Sequence, residues 1–374
     1  MKLGEKMKRV VLITNIPAPY RVDLFNYMQK RLDEYEIHII YTSLAEDNRK
    51  WTIDNDKLLN SHILNSKIVK LSGELDSRYI HVPLGLLKML SNLKPEYVIA
   101  WEYNFAAVQS LIWCKKNGIP FIHLTDGTLY SERNINIIQK IMRKIIINNS
   151  DAAIASSTKA KEKLISWGMN ENKITVSYLT FDTSKIEQVG SSHLHEGRIL
   201  YVGSMIKRKG LDLLIKALPY IKNNYQLRIV GNGSGEEINL IQEEARKLNV
   251  LSNVVFCGFK EGKELYEEYA NAEVFVLPTR EDCFGLVLVE ALFFNIPIVS
   301  SKYADGAYDI IEDENNGFIV DPYNSEDMGN AIDRVLSLND IYKRNALMMD
   351  KTKFYFANSV KGYIEAISIC KEQK

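Results

Sequence analysis

The stretch Val274-Phe275-Val276-Leu277-Pro278-Thr279-Arg280-Glu281-Asp282-Cys283-Phe284-Gly285-Leu286-Val287-Leu288-Val289-Glu290-Ala291 decides how this chain is read. Four apolar residues make a buried strand, Pro278 ends it, an acidic loop follows, and Gly285 frees the backbone before an apolar helix begins. A strand that feeds a helix in this way aims the amides of Gly285, Leu286 and Val287 past the strand end, where they suit a diphosphate. Glu290 falls in the first turns of that helix, where a carboxylate is costly to bury without a partner. A ribose diol supplies one, because a carboxylate accepts two hydroxyl hydrogen bonds; solvent or a backbone amide is the alternative.

Two further strand-to-helix junctions lie upstream. In Tyr201-Val202-Gly203-Ser204-Met205-Ile206-Lys207-Arg208-Lys209-Gly210-Leu211-Asp212 a strand turns at Gly203 into a loop with three consecutive cations. These read as phosphate-facing charge or as a solvated basic loop. In Leu227-Arg228-Ile229-Val230-Gly231-Asn232-Gly233-Ser234-Gly235-Glu236 the spacing G-x-G-x-G falls short of G-x-G-x-x-G, and no acidic residue closes a strand some 20 residues later. A nicotinamide or flavin fold is disfavoured; Gly231 and Gly233 allow a turn and a close backbone approach.

Outward from these junctions, strand-length apolar runs alternate with amphipathic stretches along the chain, the pattern of parallel sheets covered by helices. One series is 10–13, 37–40, 97–100, 121–124 and 152–155; a second is 199–202, 227–230, 254–256, 274–277, 298–299 and 318–320. The expected class is α/β with two doubly wound domains, residues 1–185 and 186–354, joined by a polar linker from about Phe181 to Gly197. Open sheets of this kind bind ligands outside the carboxyl ends of their strands. No repeat or low-complexity tract intervenes.

Composition narrows the class. Lys+Arg and Asp+Glu both number 47 in 374 residues, which excludes a disordered chain and an overall basic nucleic-acid binder. Cys114, Cys257, Cys283 and Cys370 are far apart, against a disulfide framework or a structural zinc site, and point to a reducing compartment. No run approaches the length of a membrane span or a signal-peptide core. Residues 1–185 carry 26 Lys+Arg against 19 Asp+Glu, and the remainder 21 against 28. A basic front half meets an anionic partner or merely carries solvated charge. The segment Ile135 to Ile147, with Lys140, Arg143 and Lys144, reads as a helix for an anionic membrane surface or as a core helix with a basic edge.

Taken together, Gly203 to Gly210, Val230 to Gly233, Val254 to Gly258 and Pro278 to Ala291 resemble the retaining, nucleotide-sugar-dependent glycosyltransferases of family four, the group 1 type. The resemblance is continuous from about Ser156 to Val320; Asp321-Pro322 and the closing 354–369 segment also fit. It implies the GT-B fold, two facing Rossmann-like domains whose C-terminal helix, about 355–374, crosses back to the first. The first domain would bind the acceptor and the second the nucleotide sugar.

In that family two acids separated by seven residues hold the donor. Here they are Asp282, where the family usually has Glu, and Glu290 on the ribose; Glu281 and Phe284 lie in the same loop. Lys209 keeps the family's diphosphate lysine, whereas Ser204 stands where an arginine is usual, and Arg208 is the expected compensation. The nucleobase position falls on Phe259 and Lys260, with Phe259 alternatively a core residue. In the front domain Ile16-Pro17-Ala18-Pro19-Tyr20-Arg21 resembles a subgroup opening, placing Pro19 and Arg21 near a phosphate or leaving Arg21 an exposed cation at a helix start. The family's donor-sugar histidine falls on Asp126. His123 shares a strand face with Thr125 and reads as an acceptor-site residue or a hydrogen-bonded core residue.

The resemblance further implies front-face attack, in which the leaving phosphate helps deprotonate the acceptor, and no metal. The donor expected is a uridine-diphosphate sugar ahead of a guanosine-diphosphate sugar; the acceptor is a saccharide or lipid-linked saccharide of surface-polysaccharide synthesis. No nucleic acid is expected. Location is expected in the cytoplasm, peripherally at the inner membrane face. The alternatives are a nucleotide-sugar epimerase of the same fold and a catalytically weak donor-binding subunit.

Overall fold

The computed structural model describes residues 7–46, 54–71, 73, 75, 78–188 and 196–372. The chain divides into two compact units, Met1–Asp182 with Phe354–Lys374, and Thr183–Lys353. Of the expected linker, residues 189–195 lie outside the described residues.

In the first unit, β1 (Lys8–Thr14), α1 (Pro19–Arg31), β2 (Tyr35–Tyr41) and β3 (Ser61–Ile63) precede β4 (Ser66–Leu71) and β5 (Arg78–Pro83). Then come α2 (Leu86–Leu93), β6 (Tyr97–Trp101), α3 (Phe105–Asn117), β7 (Phe121–Thr125), α4 (Ile137–Asn149), β8 (Ala152–Ala155), α5 (Thr158–Ser166) and β9 (Ile174–Val176). The sheet order is β3-β2-β1-β6-β7-β8-β9, parallel throughout, while β4 and β5 pair as an antiparallel hairpin. Continuous burial of β6, β7 and β8 explains their near-unbroken apolar runs, since helices cover both faces.

The second unit runs β10 (Arg198–Val202), α6 (Leu211–Ala217), β11 (Gln226–Val230), α7 (Gly235–Lys247), β12 (Val254–Gly258), α8 (Gly262–Ala270), β13 (Val274–Leu277) and α9 (Leu286–Phe293). It ends with β14 (Ile298–Ser301), α10 (Ala307–Ile310), β15 (Gly317–Val320), α11 (Ser325–Ser337) and α12 (Asn339–Met348). Its sheet, β12-β11-β10-β13-β14-β15, is also fully parallel and has the Rossmann strand order. The last helix, α13 (Phe356–Glu372), returns to the first unit. There the Thr175 hydroxyl donates to Gly362 O at 2.8 Å, the Ser177 and Ser359 hydroxyls meet at 2.9 Å, and Tyr363 is buried in the core.

Every strand read from the sequence is present. The apolar pattern missed β3, β4, β5 and β9, because three-residue strands carry too few positions for periodicity and the β4 side chains are mostly exposed. The Ile135 to Ile147 reading needs one correction. Asn136 caps α4 through a capping box with Gln139, but Arg143 turns inward, donating from Nε and Nη2 to Glu132 at 2.9 Å each. It is no part of a basic surface edge. Ile137, Ile138, Ile141 and Ile145 are instead exposed, beside Lys140 and Lys144.

Gly210 shows how closely the second unit's loops are fitted. It has φ +70°, and a Cβ there would stand 2.1 Å from Pro278 O, a backbone atom that cannot swing away. A left-handed non-glycine residue costs about 1–3 kcal/mol before any clash. Gly210→Ala is therefore expected to lower unfolding free energy by about 3 kcal/mol in urea titration. Gly235→Ala, which meets nothing within 4 Å, should leave it within about 0.5 kcal/mol.

Candidate functional site

In the second sheet the strand order reverses between β10 and β13, so the loops after these two strands part toward opposite faces. The loops are bonded to each other. Arg280 N–H and the Thr279 hydroxyl donate to Arg208 O at 2.8 and 2.9 Å, and the Arg280 guanidinium reaches Lys207 O at 2.7 Å and Asp212 in a two-point ion pair at 2.7 and 2.6 Å. Arg280 and Asp212 were not singled out in the sequence, where they stand 68 positions apart.

This bracing brings Lys209, Arg208 and Asp282 together. The Lys209 ammonium pairs with Asp282 Oδ2, and Arg208 Nη1 lies 3.9 Å from the same oxygen and donates to Glu281 O at 3.1 Å. Burial pushes the Asp282 carboxyl up, but the Lys209 and Arg208 charges outweigh it and hold it below the usual aspartate range. Phe284 is buried and donates its N–H to Asp282 Oδ1 at 3.4 Å. Gly285, at φ +81°, is the N-cap of α9, so Leu286 and Val287 form the first turn, whose amides have no acceptor within the helix. Ser204 uses its carbonyl to accept the Tyr201 hydroxyl at 2.8 Å.

Glu290 has a partner that sequence reading did not find. The Tyr269 hydroxyl, from α8, donates to Glu290 Oε2 at 2.6 Å; burial pushes the Glu290 carboxyl up to about 7 against that hydrogen bond. No spacing rule links positions 269 and 290. The spaced glycines serve the sheet: Gly203 N–H bonds Val230 O and Gly231 N–H bonds Gly258 O, both at 2.9 Å, and a Cβ on Gly231 would stand 1.9 Å from Gly203 O. The close approach at Gly231 is thus to backbone, and Gly233 packs against Met205. Phe259 is 49% exposed, which removes its core alternative. Lys260 pairs with Glu268 at 2.7 Å, which also takes Arg228 at 2.6 Å.

In the first sheet the order reverses between β1 and β6. Pro19 opens α1, and Arg21 is its third residue, within the first turn. Arg21 is largely buried rather than an exposed cation. Its guanidinium lies 4.1 Å from the Trp101 ring centroid and donates to Thr14 Oγ1 and Asp126 Oδ2, both at 2.9 Å. Asp126 follows β7 directly, with its N–H donated to Glu102 Oε1 at 2.7 Å. His123 is fully buried against Tyr103, ring centroids 4.4 Å apart. The hydrogen-bonded alternative fails: among the described residues neither ring nitrogen has a partner, and burial, with the Lys163 and Arg143 charges, holds the imidazole neutral.

Among the described residues no three His, Cys, Asp or Glu side chains are grouped to hold a metal ion, and no helix is long and apolar enough to cross a membrane.

Comparison with known proteins places this geometry. Residues 182–350 match the family described as glycosyl transferases group 1, and residues 20–185 match Glycosyltransferase Family 4. An uncharacterized glycosyltransferase of Methanocaldococcus jannaschii is 30% identical over 292 residues, 73% of this chain and 74% of that one. A Campylobacter jejuni enzyme named as an N-acetylgalactosaminyltransferase acting on a diacetylbacillosaminyl diphospho-undecaprenol is 25% identical over 328 residues, 84% of this chain and 86% of that one. A solved Anabaena structure in complex with UDP superposes with a TM-score of 0.78 at 18% identity, covering 97% of this chain and 100% of that one, a likeness of fold. With both halves matched and the fold shared, the chain belongs to the group 1 glycosyltransferases of the GT-B fold and is a glycosyltransferase.

Proposed function

We propose that this glycosyltransferase moves a sugar, with retention, from a uridine-diphosphate sugar to a lipid-linked saccharide in surface-polysaccharide synthesis at the inner face of the cytoplasmic membrane. The observation that carries the reading is the Lys209–Asp282 pair, flanked by Arg208, at the strand-order reversal of the second sheet, with Glu290 on the adjoining helix. The names of the Campylobacter relative and the Anabaena complex support a lipid-linked acceptor and a uridine nucleotide.

In this reading the bond between the anomeric carbon and the donor phosphate oxygen breaks as the acceptor oxygen bonds to the same face of that carbon. The acceptor proton passes to the leaving phosphate. Lys209, Arg208 and the first amides of α9 stabilise the charge that develops on the diphosphate, the largest catalytic contribution such a site makes. Asp282 accepts hydroxyls of the sugar, Glu290 those of the ribose, and Phe259 stacks on the base. Asp126 accepts a hydroxyl of the sugar or the acceptor.

Lys209→Ala is expected to lower kcat by about 100-fold or more, the cost of one well-placed donor, and Arg208→Ala by about tenfold. Unchanged turnover in Arg208→Ala would remove Arg208 as the substitute for the absent arginine. Calorimetry with UDP and GDP tests the donor. Ribose hydroxyls favour ionised Glu290, whose carboxyl stands near 7, so binding should release a proton and weaken as pH falls below 7. Glu290→Gln should flatten that dependence. The exposed isoleucine face of α4 with Lys140 and Lys144 is the part of the first unit suited to an anionic lipid surface. Co-sedimentation with anionic vesicles should be lost when Ile138 and Ile141 are both changed to Asp, and unaltered sedimentation would dispose of the contact.

A further inference from the structure

Glu102, the first residue after β6, was not singled out by the sequence. It stands at the strand-order reversal of the first sheet, with Arg21 following the neighbouring strand β1 on the other side. Its backbone is left-handed at φ +60°, a conformation that a non-glycine residue keeps only when its surroundings demand it. Its own N–H is tied to Leu124 O at 2.8 Å. The carboxylate accepts the Asp126 N–H at 2.7 Å and the Thr125 hydroxyl at 3.2 Å. Among the described residues no cation pairs with it, although the rest of the cluster is paired.

The strained backbone therefore directs a carboxylate onto the turn that carries Asp126. That turn is held from below by Glu132 and Lys163, which pair at 2.6 Å; a Cβ on Gly127 would stand 2.7 Å from Glu132 Oε1 and 2.9 Å from Lys163 Nζ. Asp126 is held from the side by Arg21 through Oδ2, while its Oδ1 is buried with no hydrogen-bond partner among the described residues. A buried carboxylate oxygen left open costs free energy unless a ligand completes it.

We infer that Glu102 is a positioning residue for sugar transfer: through the Asp126 amide and the Thr125 hydroxyl it holds Asp126 Oδ1 as a fixed acceptor for a hydroxyl of the saccharide acceptor. This rests on the transferase reading above and adds to it the residue that aims Asp126. A glutamine of the same shape keeps one acceptor oxygen but not the charge or the second acceptor, so the turn loses one of its two restraints. The groups facing Glu102 are Asp126 and Glu132, which repel its charge, and Lys163, which attracts it; Arg21 and Arg143 neutralise the two acids. Burial, then the Asp126 charge, pushes the Glu102 carboxyl up to about 7. Only the ionised form accepts both bonds at once, one on each oxygen, so the turn loses one of its two restraints and positioning weakens as pH falls below that value.

The test is kcat/KM for the acceptor against pH, at saturating donor so that Glu290 does not contribute. The wild type should show an acid limb near pH 7. Glu102→Gln should lose about tenfold at the plateau and lose that limb, with donor affinity by calorimetry and melting temperature unchanged. Glu102→Asp, which keeps the charge but withdraws it, should lose activity and keep the limb. Wild-type kcat/KM in Glu102→Gln, or an acid limb that survives it, overturns the inference. Parallel losses of donor binding and melting temperature in both variants do so as well, by showing a structural role. Absence of donor binding in the wild type overturns instead the proposed donor reading on which it rests.

Discussion

Both units depend on one topological constraint: a parallel sheet whose strand order reverses once. Right-handed crossovers on the two sides of the reversal carry the chain to opposite faces, so the loops after the two central strands part and leave strand ends uncovered. In the second unit these loops hold Lys209 and Asp282. In the first, Glu102 lies in one of these loops and Arg21 in the opening turn of the helix that follows the other, with Asp126 one strand further along. Among the described residues Arg208, Lys209 and Asp282 meet at these ends in the second unit, and Arg21 and Asp126 in the first.

Holding charge there requires bracing. Arg280 ties the two loops of the second unit through Asp212 and Lys207 O, which sets Arg208 and Lys209 against Asp282. Under the Asp126 turn, Lys163 is fully buried with Glu132, and Arg143 completes that pair from α4. Such buried pairs contribute little net stability, yet removing one partner typically costs about 3–5 kcal/mol because the other charge is stranded. Their effect is to make the turn geometry stiff. Tyr103 lies against both cations, 4.6 Å from Arg143 and 4.2 Å from Lys163, which favours their burial further.

Legibility followed the range of the interaction. Strand runs such as 97–100 and 274–277 were readable because continuous burial leaves a local apolar signature. The β10 and β13 loops were readable because glycine, cations and acids fall at short, family-like spacings. Tyr269 against Glu290, Arg280 against Asp212 and Glu102 against Asp126 were not, since each pair lies between separate elements with no spacing to signal it. Arg143 misled for the same reason: helical position says which face a residue takes, not that Glu132 waits on it.

The sequence by itself determined the α/β class, both runs of parallel strands and the family, because these rest on local burial patterns and short motifs. The tertiary structure alone decided which charges are paired and which are left open. Ion pairing and desolvation depend on distance in space, and packing brings together residues that the chain keeps 21 to 105 positions apart.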